Sequence, residues 1–420
     1  MSAGRRILLA TPAQALGGAE AYLEGLAAHL RRLGHSVTVA VDSGAALDPL
    51  ARRLAASGCE VRRGPIAWRW TAEPALVRLR DQMAGFRTIL DEAVRDGERP
   101  DVVFVNLNWA NAGTALLVAA TLTGVGAVAL CHLCPQTILL DAAEVRLLRW
   151  CLDQKQSWFA VSRDSCFFFA RSIGVTPDRI GVIHNGPLSR PDGLPEGSAL
   201  DDARAAWRRD AGLPATARVA LGVGRLHTQK GLLDILPVLS HLFSRDAGLH
   251  VLWIGDGPLR APVERLVAST DLSGRLRLAG PRDDVGHCLG LSDLFLFPSR
   301  YEGFSLALVE ALNAGCPPVA FDIGGVREIL EPEVNGLVVP PGRIWPFAAA
   351  VLRLLGDDAL RRRLAGAGRQ TAARFTAEAM LSGATGAILA ARPPSVPSVL
   401  SSDALDTALV RLAEGLPPRA

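Results

Sequence analysis

Apolar positions in this chain fall into short blocks separated by longer amphipathic stretches. Residues 6–11 (RILLAT) read as a buried strand, Gly17-Gly18 break the pattern, residues 19–33 carry apolar side chains at helical spacing, and residues 36–41 (SVTVAV) return to a strand. Strand, loop, helix and strand in that order predict a parallel α/β unit. Gly34-His35 closes the helix as a C-cap turn, so His35 reads as structural.

The pattern then repeats. Strand-like runs at 101–107, 125–130, 158–161 and 179–184 complete a first doubly wound domain, placed at 1–188. Residues 189–216 are rich in Pro, Gly, Asp and Ser and read as a linker around a short helical piece. Strands at 218–223, 250–254, 276–279, 294–297, 318–321 and 336–339 predict a second α/β domain over 217–375. A helix at 376–392 and a Pro- and Ser-rich tail at 393–420 follow, the tail carrying Leu405, Leu409 and Leu412 on one helical face.

A chain of 420 residues suits two or three domains at roughly 150 residues each. Hydrophobic residues at 49% and charged residues at 21% supply material for sizeable cores. The net charge of +3 gives no sign of a nucleic-acid partner. Residues 112–131 are uncharged and long enough to span a bilayer, but Gly124 and Gly126 divide them into a helix and a strand. The opening apolar run is too short for a signal peptide. Seven scattered cysteines fit unpaired thiols in a reducing cytoplasm, and Cys131-His132-Leu133-Cys134 lacks the second pair that a zinc site needs.

The segment with most chemistry is 297–321, FPSRYEGFSLALVEALNAGCPPVAF. Ser305 is placed to cap a helix beginning at Leu306 and closed by Gly315, which makes the amides near Phe304, Ser305 and Leu306 an anion site. That helix is apolar on almost every side yet carries Glu310. A buried carboxylate costs several kcal/mol unless satisfied, by ligand hydroxyls or by a neighbouring arginine. Lysine occurs only at Lys155 and Lys230, the latter in a loop after a strand, beside Arg225.

Glu302 and Glu310, separated by seven residues, resemble the Glu-x7-Glu motif of glycosyltransferase family 4, retaining enzymes of the GT-B fold. That resemblance implies two Rossmann-like domains facing a cleft, with the C-terminal helix crossing back to the first. It implies that Glu310 holds the nucleotide ribose, that Glu302 contacts the donor sugar, and that the intervening amides take the diphosphate. Val223 to Gly231 resembles the family's strand end, in which Arg225 and Lys230 neutralise the departing diphosphate, a role that fits the charge developing there. Gly280-Pro281-Arg282 resembles the base-binding loop, and Leu16 to Glu20 the glycine loop, where Gly17 and Gly18 let backbone approach the diphosphate. His132 stands where the family carries a histidine facing donor sugar and acceptor. Ser162, Asn185 and Gly186 fit later strand ends, although Pro187 departs from the pattern.

The function expected is therefore transfer of a sugar from a nucleoside-diphosphate sugar, UDP ahead of GDP, to a glycan or lipid-linked hydroxyl. No Asp-x-Asp triplet is present, so no metal or other cofactor is expected. Two alternatives share the fold: a non-catalytic sugar-nucleotide binder and a sugar epimerase. A nicotinamide dehydrogenase is disfavoured, because Gly124 to Ala129 formally matches GxGxxA but lies between a helix and a strand. Arginines 52, 53, 62, 63, 69, 78 and 80 face only Glu60 and Glu73 locally, with Trp68 and Trp70 among them. This edge is expected to be either a solvated face or a peripheral contact with anionic lipid on the cytoplasmic side of the membrane.

Overall fold

The computed structural model describes residues 4–69, 71, 73–188, 195, 197–270, 272, 274–395 and 402–418. The chain forms two compact units, residues 1–184 with 378–420 and residues 185–377.

The first unit begins β1 (Arg6–Ala10), α1 (Gly18–Arg32), β2 (Ser36–Asp42), α2 (Asp48–Ala56), β3 (Glu60–Gly64), α3 (Ala75–Arg95), β4 (Val102–Leu107), α4 (Thr114–Leu122), β5 (Gly126–Cys131), α5 (Ala142–Asp153), β6 (Ser157–Ala160), α6 (Arg163–Ile173) and β7 (Gly181–Val182). Its strands are parallel in the order β3-β2-β1-β4-β5-β6-β7, with Ile7 opposite both Val37 and Val102. The sheet reverses direction of growth beside β1, as a doubly wound sheet does, and loops at the carboxyl ends of the flanking strands gather there. The continuous apolar runs of β1, β4 and β5 follow from burial on both faces. Every residue of α4 is buried. Its hydrophobicity is that of a core helix, and among the described residues no helix is long and apolar enough to cross a membrane.

The second unit holds α7 (Ser198–Asp210), β8 (Arg218–Val223), α8 (Leu232–Arg245), β9 (Leu249–Ile254), α9 (Arg260–Ala268), β10 (Leu276–Gly280), α10 (Val285–Leu291), β11 (Leu294–Phe297), α11 (Leu306–Asn313), β12 (Pro318–Phe321), β13 (Leu337–Val339), α12 (Ile344–Gly356) and α13 (Asp358–Ala372). Its parallel order is β10-β9-β8-β11-β12-β13, the same winding again. Both sheets have the Rossmann-like α/β form expected.

After the second unit the chain returns through α14 (Ala377–Ala390) and α15 (Ser402–Ala413). Leu405, Leu409 and Leu412 of α15 are buried in the core of the first unit and pack with α3, α4 and α5. The amphipathic tail thus covers apolar helices.

Three expectations need correction. The helical piece expected within 189–216 is α7, but its buried Trp207 and its packing against α10 make it part of the second unit and not of a linker; residues 189–194 and 196 lie outside the described residues. Strand β3 sits within the arginine-rich stretch, whose polar sequence concealed it. The arginines there also meet acids outside the stretch: Arg53 meets Glu24, Arg63 meets Asp48, Arg69 meets Asp42, Arg80 meets Asp406, and Arg62, besides its neighbour Glu60, meets Glu92, Asp96 and Glu98. Trp68 is buried, and Trp70 lies outside the described residues.

Candidate active site

In the second unit, two loops at the carboxyl edge of the sheet are locked together. The loop after β8 runs through Gly224, whose φ of 150° places it where a side chain is strained, into a 3-10 turn at Thr228–Lys230. The backbone N–H of Arg300, after β11, donates to the Gln229 carbonyl at 2.8 Å, and the buried Gln229 side chain donates to the Tyr301 carbonyl at 3.0 Å. Arg300 and Asp234 add a bidentate ion pair across the same seam.

This clamp brings Lys230 to Glu302: Nζ lies 2.6 Å from Oε1, both side chains being largely buried. The sequence reading gave each a separate ligand, and the structure pairs them. Arg225 is exposed on the same loop. Immediately after Glu302, Ser305 caps α11, its Oγ accepting from the Leu308 N–H at 3.3 Å. The helix begins at Leu306 as expected, so its free amides and the positive end of its dipole face the segment that carries Glu302. Gly325 backs this turn closely, and a Cβ there would collide with the Gly303 carbonyl oxygen. Asn185 donates to the Phe304 carbonyl at 3.3 Å, and Phe304 packs edge-on against Phe375 at 5.1 Å.

Glu310 lies on α11 beyond that N-terminus, and burial pushes its carboxyl up to about 7. No arginine or lysine pairs with it among the described residues, so the arginine explanation of its burial is not the one the structure adopts. Arg282, by contrast, is held bidentately by Asp284 at 2.6 Å on both oxygens.

The first unit carries a second cluster. Gly17 and Gly18 open α1, both exposed, and neither has a left-handed φ. Asn106, buried within β4, donates from Nδ2 to the Ala19 carbonyl at 2.9 Å, while its Oδ1 lies 2.7 Å from His132 Nε2. The Tyr22 ring packs edge-on against His132 at 5.0 Å. Burial pushes His132 down to about 3, so the ring is neutral at physiological pH. Ser162 serves locally as the N-cap of α6. Sequence reasoning passed over Asn106, Tyr22 and Gln229, although an asparagine inside the apolar strand VVFVNL was a visible signal. All seven cysteines are buried and none forms a disulfide, and no cluster of metal-binding side chains occurs among the described residues.

Two family models match, the glycosyl transferases group 1 over residues 203–371 and Glycosyltransferase Family 4 over residues 16–187. Each half of the chain thus resembles glycosyltransferases of this type. Among relatives, it is 34% identical over 149 residues to the alpha-D-kanosaminyltransferase of Streptomyces kanamyceticus, covering 35% of this chain and 39% of that one. It is 31% identical over 168 residues to the lipopolysaccharide core biosynthesis glycosyltransferase LpsE of Rhizobium meliloti, covering 40% and 48%. The matched stretches thus span less than half the length of either relative. The fold matches Anabaena HepE, solved in complex with UDP, at a TM-score of 0.73 and 20% identity, over 91% of this chain and 98% of that one. WaaG, a glycosyltransferase of lipopolysaccharide biosynthesis, matches at 0.65 and 16%, over 91% and 100%. Both structures share the GT-B glycosyltransferase fold with this chain.

Proposed function

We propose that this glycosyltransferase moves a sugar from a nucleoside-diphosphate sugar to a hydroxyl acceptor, with retention of anomeric configuration and without a metal. The observation that carries the reading is the Lys230–Glu302 pair at the mouth of α11, with the unpaired carboxyl of Glu310 behind it on the helix. A cation, a helix N-terminus and a buried acceptor group on neighbouring loops suit a diphosphate joined to a ribose. UDP is the favoured nucleotide because HepE is solved with UDP and with UDP-glucose.

In this reading the diphosphate sits on the α11 amides and the ribose hydroxyls donate to Glu310. Arrival of the diphosphate gives Lys230 a second anion, which loosens its hold on Glu302 and turns that carboxylate towards the sugar. The bond from the anomeric carbon to the β-phosphate oxygen breaks, the acceptor oxygen bonds to that carbon on the same face, and the acceptor proton passes to the departing phosphate. Arg225 and Lys230 stabilise the charge that develops on the leaving group, the task a metal performs elsewhere. Arg282 is available to the base only by leaving Asp284.

The first unit supplies the acceptor side through Gly17, Gly18 and His132. A glycan is the acceptor class we carry, since LpsE and WaaG belong to lipopolysaccharide synthesis. A lipid-facing role for residues 52–80 is the weaker proposal, because five of their arginines also pair with acids.

Incubating the purified protein with a panel of UDP- and GDP-sugars and following nucleoside diphosphate release, with and without oligosaccharide acceptors, tests the reading. Turnover that survives EDTA and a product with the donor's anomeric configuration by proton NMR are expected. An inverted product removes retention, and absence of turnover with tight nucleotide-sugar binding favours the non-catalytic alternative.

A further inference from the structure

The polar cluster around His132 contains more information than the position of one histidine. A backbone carbonyl can only accept, so the contact between Asn106 and the Ala19 carbonyl at 2.9 Å fixes the amide nitrogen on that side. The amide oxygen must then face His132, at 2.7 Å from Nε2. An amide oxygen can only accept, so Nε2 carries the proton. In a neutral imidazole this leaves Nδ1 as a lone pair. Nδ1 makes no hydrogen bond with the described residues, and the residue as a whole is only partly buried. Tyr22, packed edge-on at 74° to the imidazole plane, opposes rotation of the ring.

The geometry points to Asn106 as a positioning residue that holds His132 in the Nε2–H form, so that Nδ1 accepts a hydrogen bond from a hydroxyl of the donor sugar or acceptor. The same amide ties the histidine to Ala19, the residue after Gly18, and therefore sets the glycine loop and the ring as one piece. His132 acts here as a neutral acceptor and transfers no proton. This deepens the transferase reading and rests on it for the identity of the hydroxyl. Neither link is part of the sequence motif, since Asn106 reaches Ala19 across 87 positions and His132 across 26.

The test is long-range proton–nitrogen correlation NMR on the full chain labelled with nitrogen-15 histidine, at neutral pH, with the His132 signal assigned by its loss in His132→Gln. The Nε2–H pattern is expected. An Nδ1–H or doubly protonated pattern overturns the assignment, even where transfer is active. In Asn106→Leu both tautomers should appear, and kcat should fall by about tenfold, the loss of one neutral hydrogen bond, while KM for the nucleotide sugar stays near wild type. A variant that unfolds leaves the wild-type spectrum as the deciding measurement. If Asn106→Leu folds and keeps a pure Nε2–H signal, the positioning role is overturned. Should the wild type show the expected tautomer yet transfer no sugar, the transferase reading fails and the lone pair loses its ligand, while the control exerted by Asn106 stands.

Discussion

Lys230 and Glu302 stand 72 positions apart, yet their ammonium and carboxylate meet at 2.6 Å with most of each side chain out of solvent. Each member keeps the other from being a lone charge in a dry place. Lys230→Met and Glu302→Gln should each lower unfolding free energy by about 1–3 kcal/mol, between the values for exposed and buried pairs. Removing both should cost less than the sum, since neither charge is then stranded. Urea unfolding of the four proteins measures this coupling. Additive losses would mean that the pair contributes nothing. In the transfer assay Lys230→Met should reduce kcat by about 100- to 1,000-fold, as for loss of a donor to a developing anion.

The ribose role proposed for Glu310 makes nucleotide binding depend on pH. Its carboxyl is raised from 4.5 to about 7 by burial, and hydroxyls that donate to it favour the ionised form. Binding of UDP just below pH 7 should therefore release a proton and tighten as the pH rises through that value. Calorimetry in two buffers of different ionisation enthalpy detects the release, and Glu310→Gln should abolish it. In the free protein the sign is opposite. The folded state holds a proton that the unfolded state gives up above 4.5, so stability from this group is lost as the pH rises through about 7.

His132 behaves in the reverse sense. Its folded value of about 3 lies below the ordinary 6.5, so the unfolded chain takes up a proton that the folded chain refuses. Its contribution is complete above 6.5 and is lost as the pH falls towards 3. Comparing urea midpoints of wild type and His132→Gln at acidic and neutral pH isolates the effect: the variant should lose less stability on acidification. Equal losses would show that the ring protonates as freely as in water.

Gly325→Ala tests the wall behind α11. The added methyl would meet the Gly303 carbonyl, and backbone cannot yield as a flexible side chain can. A stability loss of about 1–3 kcal/mol, as for overpacking, is expected. Weaker UDP binding should accompany it, read by calorimetry, because the displaced segment carries Glu302 and leads into Ser305. Unchanged binding would separate this wall from the nucleotide site.

Much of this could be read from the sequence because it is local. The start of α11 at Leu306 follows from Ser305 and the apolar run behind it, and β8, β11 and β12 occupy the intervals expected from their apolar blocks. What escaped were relations between distant residues. The arginine-rich stretch appeared unbalanced because a window over 52–80 contains Glu60 and Glu73, whereas Arg62 finds Asp96 and Glu98 beyond α3. The same stretch hid β3, whose sequence EVRRG is that of an edge strand with incomplete burial. Helix α7 was taken into a linker because Trp207 is its one buried residue and gives little periodic signal. Asn106 was passed over for a similar reason, since both of its partners lie in other elements.

The return of α14 and α15 to the first unit has a consequence for synthesis on the ribosome. Leu405 and Leu409 complete a core whose other walls, α3, α4 and α5, are made some 250 residues or more earlier, by Asp153 at the latest. At about 5–20 residues per second, those walls wait on the order of ten to fifty seconds for their cover. Meanwhile the whole of the second unit emerges, a compact unit with a sheet of its own. The second unit is therefore expected to mature first during translation, and the nascent first unit, with α4 incompletely covered, is the stage at which a holding chaperone would engage.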